Sequence, residues 1–394
     1  MSGPLLAPAR PAQSARWAVV VALALIGGFV LLRLVLATSM AGFAVAGDRF
    51  VDPALTPDRL PVTSESGGYD GQFVYRLALD PWTHQRTAFG ITLDNPAYRQ
   101  QRIATPVLAW TVGLLPGVST LLALLLVNVA ALTVAAVYAV RLARALGRHP
   151  LTGLVLALPA GMPISLGRNL TEPVAWAAIL AGLWYARQRR WPLVAAALTV
   201  AVLARETSLV VVAGLAVAEL WRVLSRGDLR RDGPAVGWLA VPAAAAVAWQ
   251  LVLLQLWGVL PVRSGGSSSL GGLPVLGVLD TVAAGVPGSA ALTVVVTAER
   301  VGVLVLFGYA AWVLVARRAA VTAGEAAAWV LAVALSLTVD GWTSDVQFLR
   351  AANEAIGLSV LVALSDRRTR AGRWVLLLAA AMACGVALEY AFRQ

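Results

Sequence analysis

Apolar stretches recur along the whole chain, many of them longer than the roughly 17 residues a helix needs to cross a hydrocarbon core of about 30 Å. Water cannot be the main solvent of such a sequence. Hydrophobic residues make up 59% of its 394 positions and charged residues 13%, about half the charged share of a soluble domain. Inside lipid a backbone must satisfy its own hydrogen bonds, and a helix does so within one segment. The expected fold is therefore all-α: a polytopic integral membrane bundle of about 11 transmembrane helices, with one large outer loop carrying short interfacial helices.

The formal charge of +11 does not redirect that reading toward nucleic acid. A DNA-binding face needs clustered charge on a soluble surface. Here the 31 basic residues, all Arg, sit in short loops between apolar runs, as the positive-inside rule requires of cytoplasmic loops. An all-arginine basic complement matches the coding bias of a high-GC bacterium, which places the chain in a bacterial plasma membrane. The lone Cys384 excludes an internal disulfide. Arg10 and Arg16 precede the first apolar run, which ends in Ala44-Val45-Ala46 like a signal-peptidase site. That run is too long for a signal peptide and is read as an uncleaved helix.

Residues 1–16 then form a cytoplasmic tail, 17–46 the first transmembrane helix, and 47–118 an outer loop. The polar part of this loop, from Gly47 to Arg102, carries seven acidic and six basic side chains, unlike the basic loops opposite. Pro106 to Gly117 is apolar but too short to cross, and it reads as an interfacial or re-entrant helix. Residues 119–222 form a helical core, and 235–392 the C-terminal helices with a second outer loop at 261–290, rich in Gly and Ser. With these spans every arginine cluster, from Arg141 to Arg373, falls on one side. Several middle spans are only about 15 residues long. They meet at polar breaks, Asn169 to Glu172 and Arg205 to Thr207, which at membrane depth must be packed in protein or line a wet cavity.

Within the outer loop, GYDGQFVYRLALDP (Gly67 to Pro81) places Asp70 at the start of a short amphipathic helix ended by Asp80-Pro81. Asp70 reads either as an N-cap or as a general base with access to water and lipid. Asp48, just after the first helix, is its rival, or else a solvated boundary charge beside Arg49. Asp94 precedes Asn95-Pro96, a helix start, and suits a cap. Glu172 either caps the helix that follows or contacts a sugar. Arg33, deep in the first helix, lines the cavity or pairs there.

The pattern D-G-Q-F-x-Y-R-x-A from Asp70 to Ala78, the Pro-containing apolar helix after Arg102, NLTEP at Asn169 to Pro173 and LARETS at Leu203 to Ser208 resemble the GT-C membrane glycosyltransferases. Bacterial relatives of the GPI-anchor mannosyltransferases are the nearest likeness. The resemblance covers roughly the first 220 residues. It implies transfer of a sugar, such as mannose, from a polyprenyl-phosphate-sugar to an unknown acceptor at the outer face, with inversion and with Asp70 deprotonating the acceptor. Asp48, Asp94 and Glu172 are then secondary acids. A divalent metal stays open, although Gly71 stands where many such loops carry a second acid; no metal ligands and no cofactor are indicated.

The donor's phosphate becomes the leaving group and needs fixed cations, for which the planar fork of arginine is suited. Arg205, Arg350, Arg99 and Arg102 are the candidates. The alternative for two of them is pairing along the chain, Arg205 with Glu206 and Arg350 with Glu354 four residues on. A lipid or polysaccharide transporter, or a non-catalytic protein of envelope assembly, are the competing readings of the same residues.

Overall fold

The computed structural model describes residues 12–37, 39–226, 229–264, 290–317, 319–338, 342, 347–367 and 369–392. Six helices among them are long and apolar enough to cross a membrane. They lie in α1 (Ala12–Ala37), α5 (Thr120–Ala145), α10 (Leu209–Arg226), α11 (Leu229–Trp257), α13 (Ala290–Ala316) and α17 (Arg370–Phe392). Much of α1 and α11 carries outward-facing apolar side chains, Leu31 and Val35 on one and Val247 and Leu251 on the other. That is how a helix presents itself to lipid rather than to water.

The other five expected spans are shorter or interrupted. Helices α8 (Glu172–Arg187), α9 (Trp191–Ala204) and α14 (Ala323–Thr338) have 16 residues or fewer. The stretch 151–167 is not one continuous helix. Pro150, Pro159, Gly161 and Pro163 divide it into a 3-10 turn and the short helices α6 (Gly153–Ala157) and α7 (Met162–Gly167). The stretch 349–365 is likewise split, into α15 (Gln347–Ala351) and α16 (Asn353–Ser365). Two of the short helices, α8 and α16, are buried along almost their whole length at the centre of the bundle.

The first helix also ends sooner than its apolar run. It stops at Ala37, a 3-10 turn follows at Met40–Phe43, and the chain doubles back so tightly that a Cβ on Gly42 would lie 2.7 Å from that of Ala37. Residues 41–46 thereby join the loop and not the span. Most of the loop 261–290 lies outside the described residues.

The segment after α1 has a core of its own, in which Phe43 belongs to the bundle but Ala44, Val51, Leu60, Phe73, Tyr75, Ile91 and Leu93 pack together. At its centre is α2 (Asp70–Leu79), the short helix expected before Asp80-Pro81, buried from Gly71 through Ala78. Gln72 stitches the loop to it, accepting from the Gly47 amide at 3.1 Å and donating to the Gly67 carbonyl at 2.6 Å. Two minimal sheets close the rest: Ala46–Gly47 parallel to Val62–Thr63, and Thr87–Ala88 antiparallel to Ile91–Thr92. Helix α3 (Pro96–Gln100) and the ten-residue α4 (Ala104–Gly113) complete it. Helix α11 pins α3 from the side: Trp249 donates to the Gln100 carbonyl at 3.1 Å, Trp257 to the Gln100 side chain at 2.6 Å, and Gln250 to Gln101 at 3.2 Å.

The bundle has two polar ends. Helices α8 and α16 both start at the end covered by this loop. At the other end α8 stops with Arg187 on Glu325, and α16 stops where Arg148 donates to the Leu364 carbonyl at 2.7 Å. At 1.5 Å per residue these helices separate the two ends by about 20–24 Å, less than a hydrocarbon core of about 30 Å.

Candidate active site

Acidic residues stand at four helix starts that meet under the loop. Asp70 is the first residue of α2 and Glu172 the first of α8; Glu206 opens the 3-10 turn Glu206–Ser208 that leads into α10, and Glu354 is the second residue of α16. Helix N-termini carry partial positive charge, so each position favours a carboxylate. Their convergence also draws in guanidinium groups, and all four candidate arginines arrive here.

Asp70 is not an N-cap. Tyr69 holds that place with no side-chain cap bond, and the Asp70 carboxylate turns to arginines from distant parts of the chain. One oxygen accepts from Arg99 at 2.6 Å and the other from Arg350 at 2.5 Å, with Arg102 at 3.9 Å. Burial pushes its pKa up, but the charges of Arg350, Arg99 and Arg102 outweigh burial and hold it well below the usual carboxylate range. It is ionised at any physiological pH.

Each of the three arginines has a second carboxylate behind it. Arg99 forks onto Asp94 at 2.7 and 2.8 Å, and Arg102 onto Glu206 at 2.6 and 2.9 Å. Arg350 bonds Glu172 and also donates to the Tyr69 hydroxyl at 3.1 Å. Tyrosines frame the group: Tyr98 accepts from Arg102 at 2.9 Å, and the Tyr69 ring lies 3.7 Å from the guanidinium of Arg168. Arg205 sits deeper, 5% exposed, between Glu172 at 3.0 Å and Glu354 at 3.2 Å, and donates to the Arg350 carbonyl at 3.0 Å.

Neither pairing expected along the chain forms. Arg205 has extended backbone, so its side chain and that of Glu206 point to opposite sides, and Glu206 goes to Arg102 instead. Arg350 and Glu354 are separated by the break at Ala352 between α15 and α16, so no common helix face exists; Glu354 accepts from Arg205 and from Thr207 at 2.8 Å.

A small cleft, partly open to its surroundings, reaches this cluster. Asp70, Phe73, Val74 and Leu77, from one face of α2, line it together with Tyr98, Arg99, Arg102, Pro106, Leu170, Thr171 and Arg350, so polar and apolar side chains share the lining. Asp94, Glu172, Glu206 and Arg205 are not part of that lining. Of the acids, Asp70 alone among the described residues faces the cavity.

The remaining candidates lie elsewhere. Asp48 is exposed and clamps the loop, accepting from the Glu65 and Ser66 amides at 2.8 and 3.0 Å, bonds that lower its pKa. Asn95, not Asp94, caps α3. Arg33 is buried between the Phe43 and Tyr390 rings and does not line the cavity. Gly71 has a steric reason to be glycine: a Cβ there would stand 2.2 Å from the Arg168 carbonyl oxygen. The NLTEP break packs its backbone on that spot, leaving no room for a second acid. Among the described residues no three His, Cys, Asp or Glu side chains come together as a metal site. Sequence reasoning treated Glu206 and Glu354 as local partners and passed over Tyr69, Tyr98 and Arg168. The legible signal was Glu206 inside the polar break Arg205 to Thr207. Compared with known proteins, the chain matches no protein-family model, no curated protein and no solved structure.

Proposed function

We propose that the chain is a membrane glycosyltransferase of the GT-C type that moves a sugar from a polyprenyl-phosphate-sugar to an acceptor hydroxyl, with Asp70 as the base. The observation that carries this reading is a cavity lined by one ionised carboxylate and three arginines, with apolar side chains beside them. A carboxylate for the acceptor proton, cations for a phosphate and a greasy surface for a prenyl chain are the three things such a reaction requires.

In the proposed reaction the acceptor hydroxyl gives its proton to Asp70 as its oxygen bonds to the anomeric carbon. The bond from that carbon to the phosphate oxygen breaks, and its electron pair leaves with polyprenyl phosphate. Arg99, Arg102 and Arg350 stabilise the charge that grows on the phosphate, and attack from the opposite face inverts the anomeric centre. Arg205, outside the lining, holds Glu172 and Glu354 and so positions Arg350. The loop would face the cell exterior and the arginine-rich end the cytoplasm of a bacterium, with about 11 spans counting the short helices.

Purified protein incubated with labelled polyprenyl-phosphate-mannose and a membrane lipid extract should produce a labelled glycolipid, and Asp70→Asn should produce it at least about a hundredfold more slowly. Movement of the labelled lipid across a vesicle bilayer with no covalent change would instead establish the transporter reading.

A further inference from the structure

The cluster is electrically complete as it stands. Asp70, Asp94, Glu172, Glu206 and Glu354 supply five carboxylates, and Arg99, Arg102, Arg205, Arg350 and the adjacent Arg168 supply five guanidinium groups. A phosphate added to a balanced, largely buried cluster brings an uncompensated charge, which such surroundings penalise heavily. The arginines therefore have to give something up before they grip it.

The geometry says what is given up. Asp94, Glu172 and Glu206 hold their arginines without lining the cavity, while Asp70 meets the arginines in its lining. The bonds from Asp70 to Arg99 and Arg350 occupy the donors that a phosphate in the cavity would need. The rear bonds keep each guanidinium in place when the front one is released, since the planar fork of arginine serves two anions from opposite edges.

We infer that Asp70 is the resident occupant of an anion seat formed by Arg99, Arg102 and Arg350, and that a phosphate group of the substrate displaces it from these arginines. The inference rests on the proposed function for the identity of the phosphate. Its consequence is an order of events. Without donor, Asp70 is tied up and a poor base; with the phosphate on the arginines, Asp70 loses its cations, gains a neighbouring anion, and becomes able to take a proton. An acceptor arriving first meets an inert carboxylate.

The test is a binding measurement on the full-length protein in detergent, with no turnover required. Inorganic phosphate and a short-chain prenyl phosphate are titrated against the parent, Asp70→Asn and Arg99→Gln. Removal of the resident anion should tighten binding in Asp70→Asn by on the order of tenfold, equivalent to about 1.4 kcal/mol, whereas Arg99→Gln should weaken it. Tightening toward both phosphates identifies the phosphate as the recognised group; tightening toward the prenyl phosphate alone identifies a lipid-borne one. Equal or weaker binding by Asp70→Asn, or no binding of either compound by any variant, overturns the inference. Asp70→Ser provides the same neutralisation if Asp70→Asn does not elute as a folded monodisperse species. Tight binding without any sugar transfer would leave the seat standing and remove the glycosyltransferase reading.

Discussion

The two polar ends of the bundle use the same residue type for different purposes. At the end opposite the loop Arg187 is paired with the buried Glu325, but Arg148 donates to the carbonyls of Leu364 and Asp366, and Arg367 to that of Leu146. These are the carbonyls a helix leaves unpaired at its C-terminus, where a cation also meets the negative end of the dipole. At the loop end the arginines meet helix N-termini, whose dipoles repel them, and so each is held by carboxylates placed there. A guanidinium on carbonyls is a finished structural contact. A guanidinium shared between a rear carboxylate and a cavity-facing one has a partner that a ligand can replace.

If this contrast is right, the largest effect belongs to the carboxylate that faces the cavity. Asp70→Asn should lower sugar transfer by about 10²–10⁴-fold, the usual contribution of a positioned base, while its level in the membrane is unchanged. Asp48→Asn, in the same loop but bonded only to backbone amides, should leave transfer unchanged. Equal losses in the two variants would mean that the loop matters only as a scaffold.

Next in size is the difference in stability between the ends. Glu172 is 1% exposed and serves both Arg205 and Arg350. Replacing it with Gln takes a shared carboxylate from two buried cations, leaving Arg205 with Glu354 and Arg350 with Asp70, and should cost about 3 kcal/mol, read as a lowered unfolding midpoint in detergent. Arg367→Gln, at the exposed opposite end, should cost less than about 1 kcal/mol.

The finest discrimination comes from pH. The folded-state pKa of Asp70 is depressed, so its ion pairs stabilise the protein above the unfolded aspartate value of about 3.9 and are lost as pH falls through the lower folded value. The acid limb of kcat/KM, which reports the free enzyme, should therefore lie below about pH 4. Arg99→Gln removes one of the depressing charges and should move that limb upward, toward the ordinary aspartate value. An unmoved limb would show that another group sets it.

Much of this was legible in the sequence, and the part that was not has an identifiable cause. Apolar run length fixed the helical class, because lipid permits few alternatives. A helix start in the outer loop and the pattern that resembles a known family marked Asp70, the polar break before α8 marked Glu172, and arginines in or beside apolar segments marked Arg99, Arg102, Arg205 and Arg350, since a charge there needs a reason. The partner assignments failed: Glu206 belongs to Arg102, 104 residues away, and Arg350 reaches back 280 residues to Asp70. Local spacing carries no information about contacts of that separation.

The sequence by itself thus determined which residues are chemically eventful, because the cost of placing charge and broken backbone near lipid is a property of each segment alone. Only the tertiary structure decided which of them face a cavity and which stand behind it. Whether a guanidinium is a ligand or a strut depends on what lies on its other edge, and that is set by the packing of α2, α3, α8 and α16 against one another.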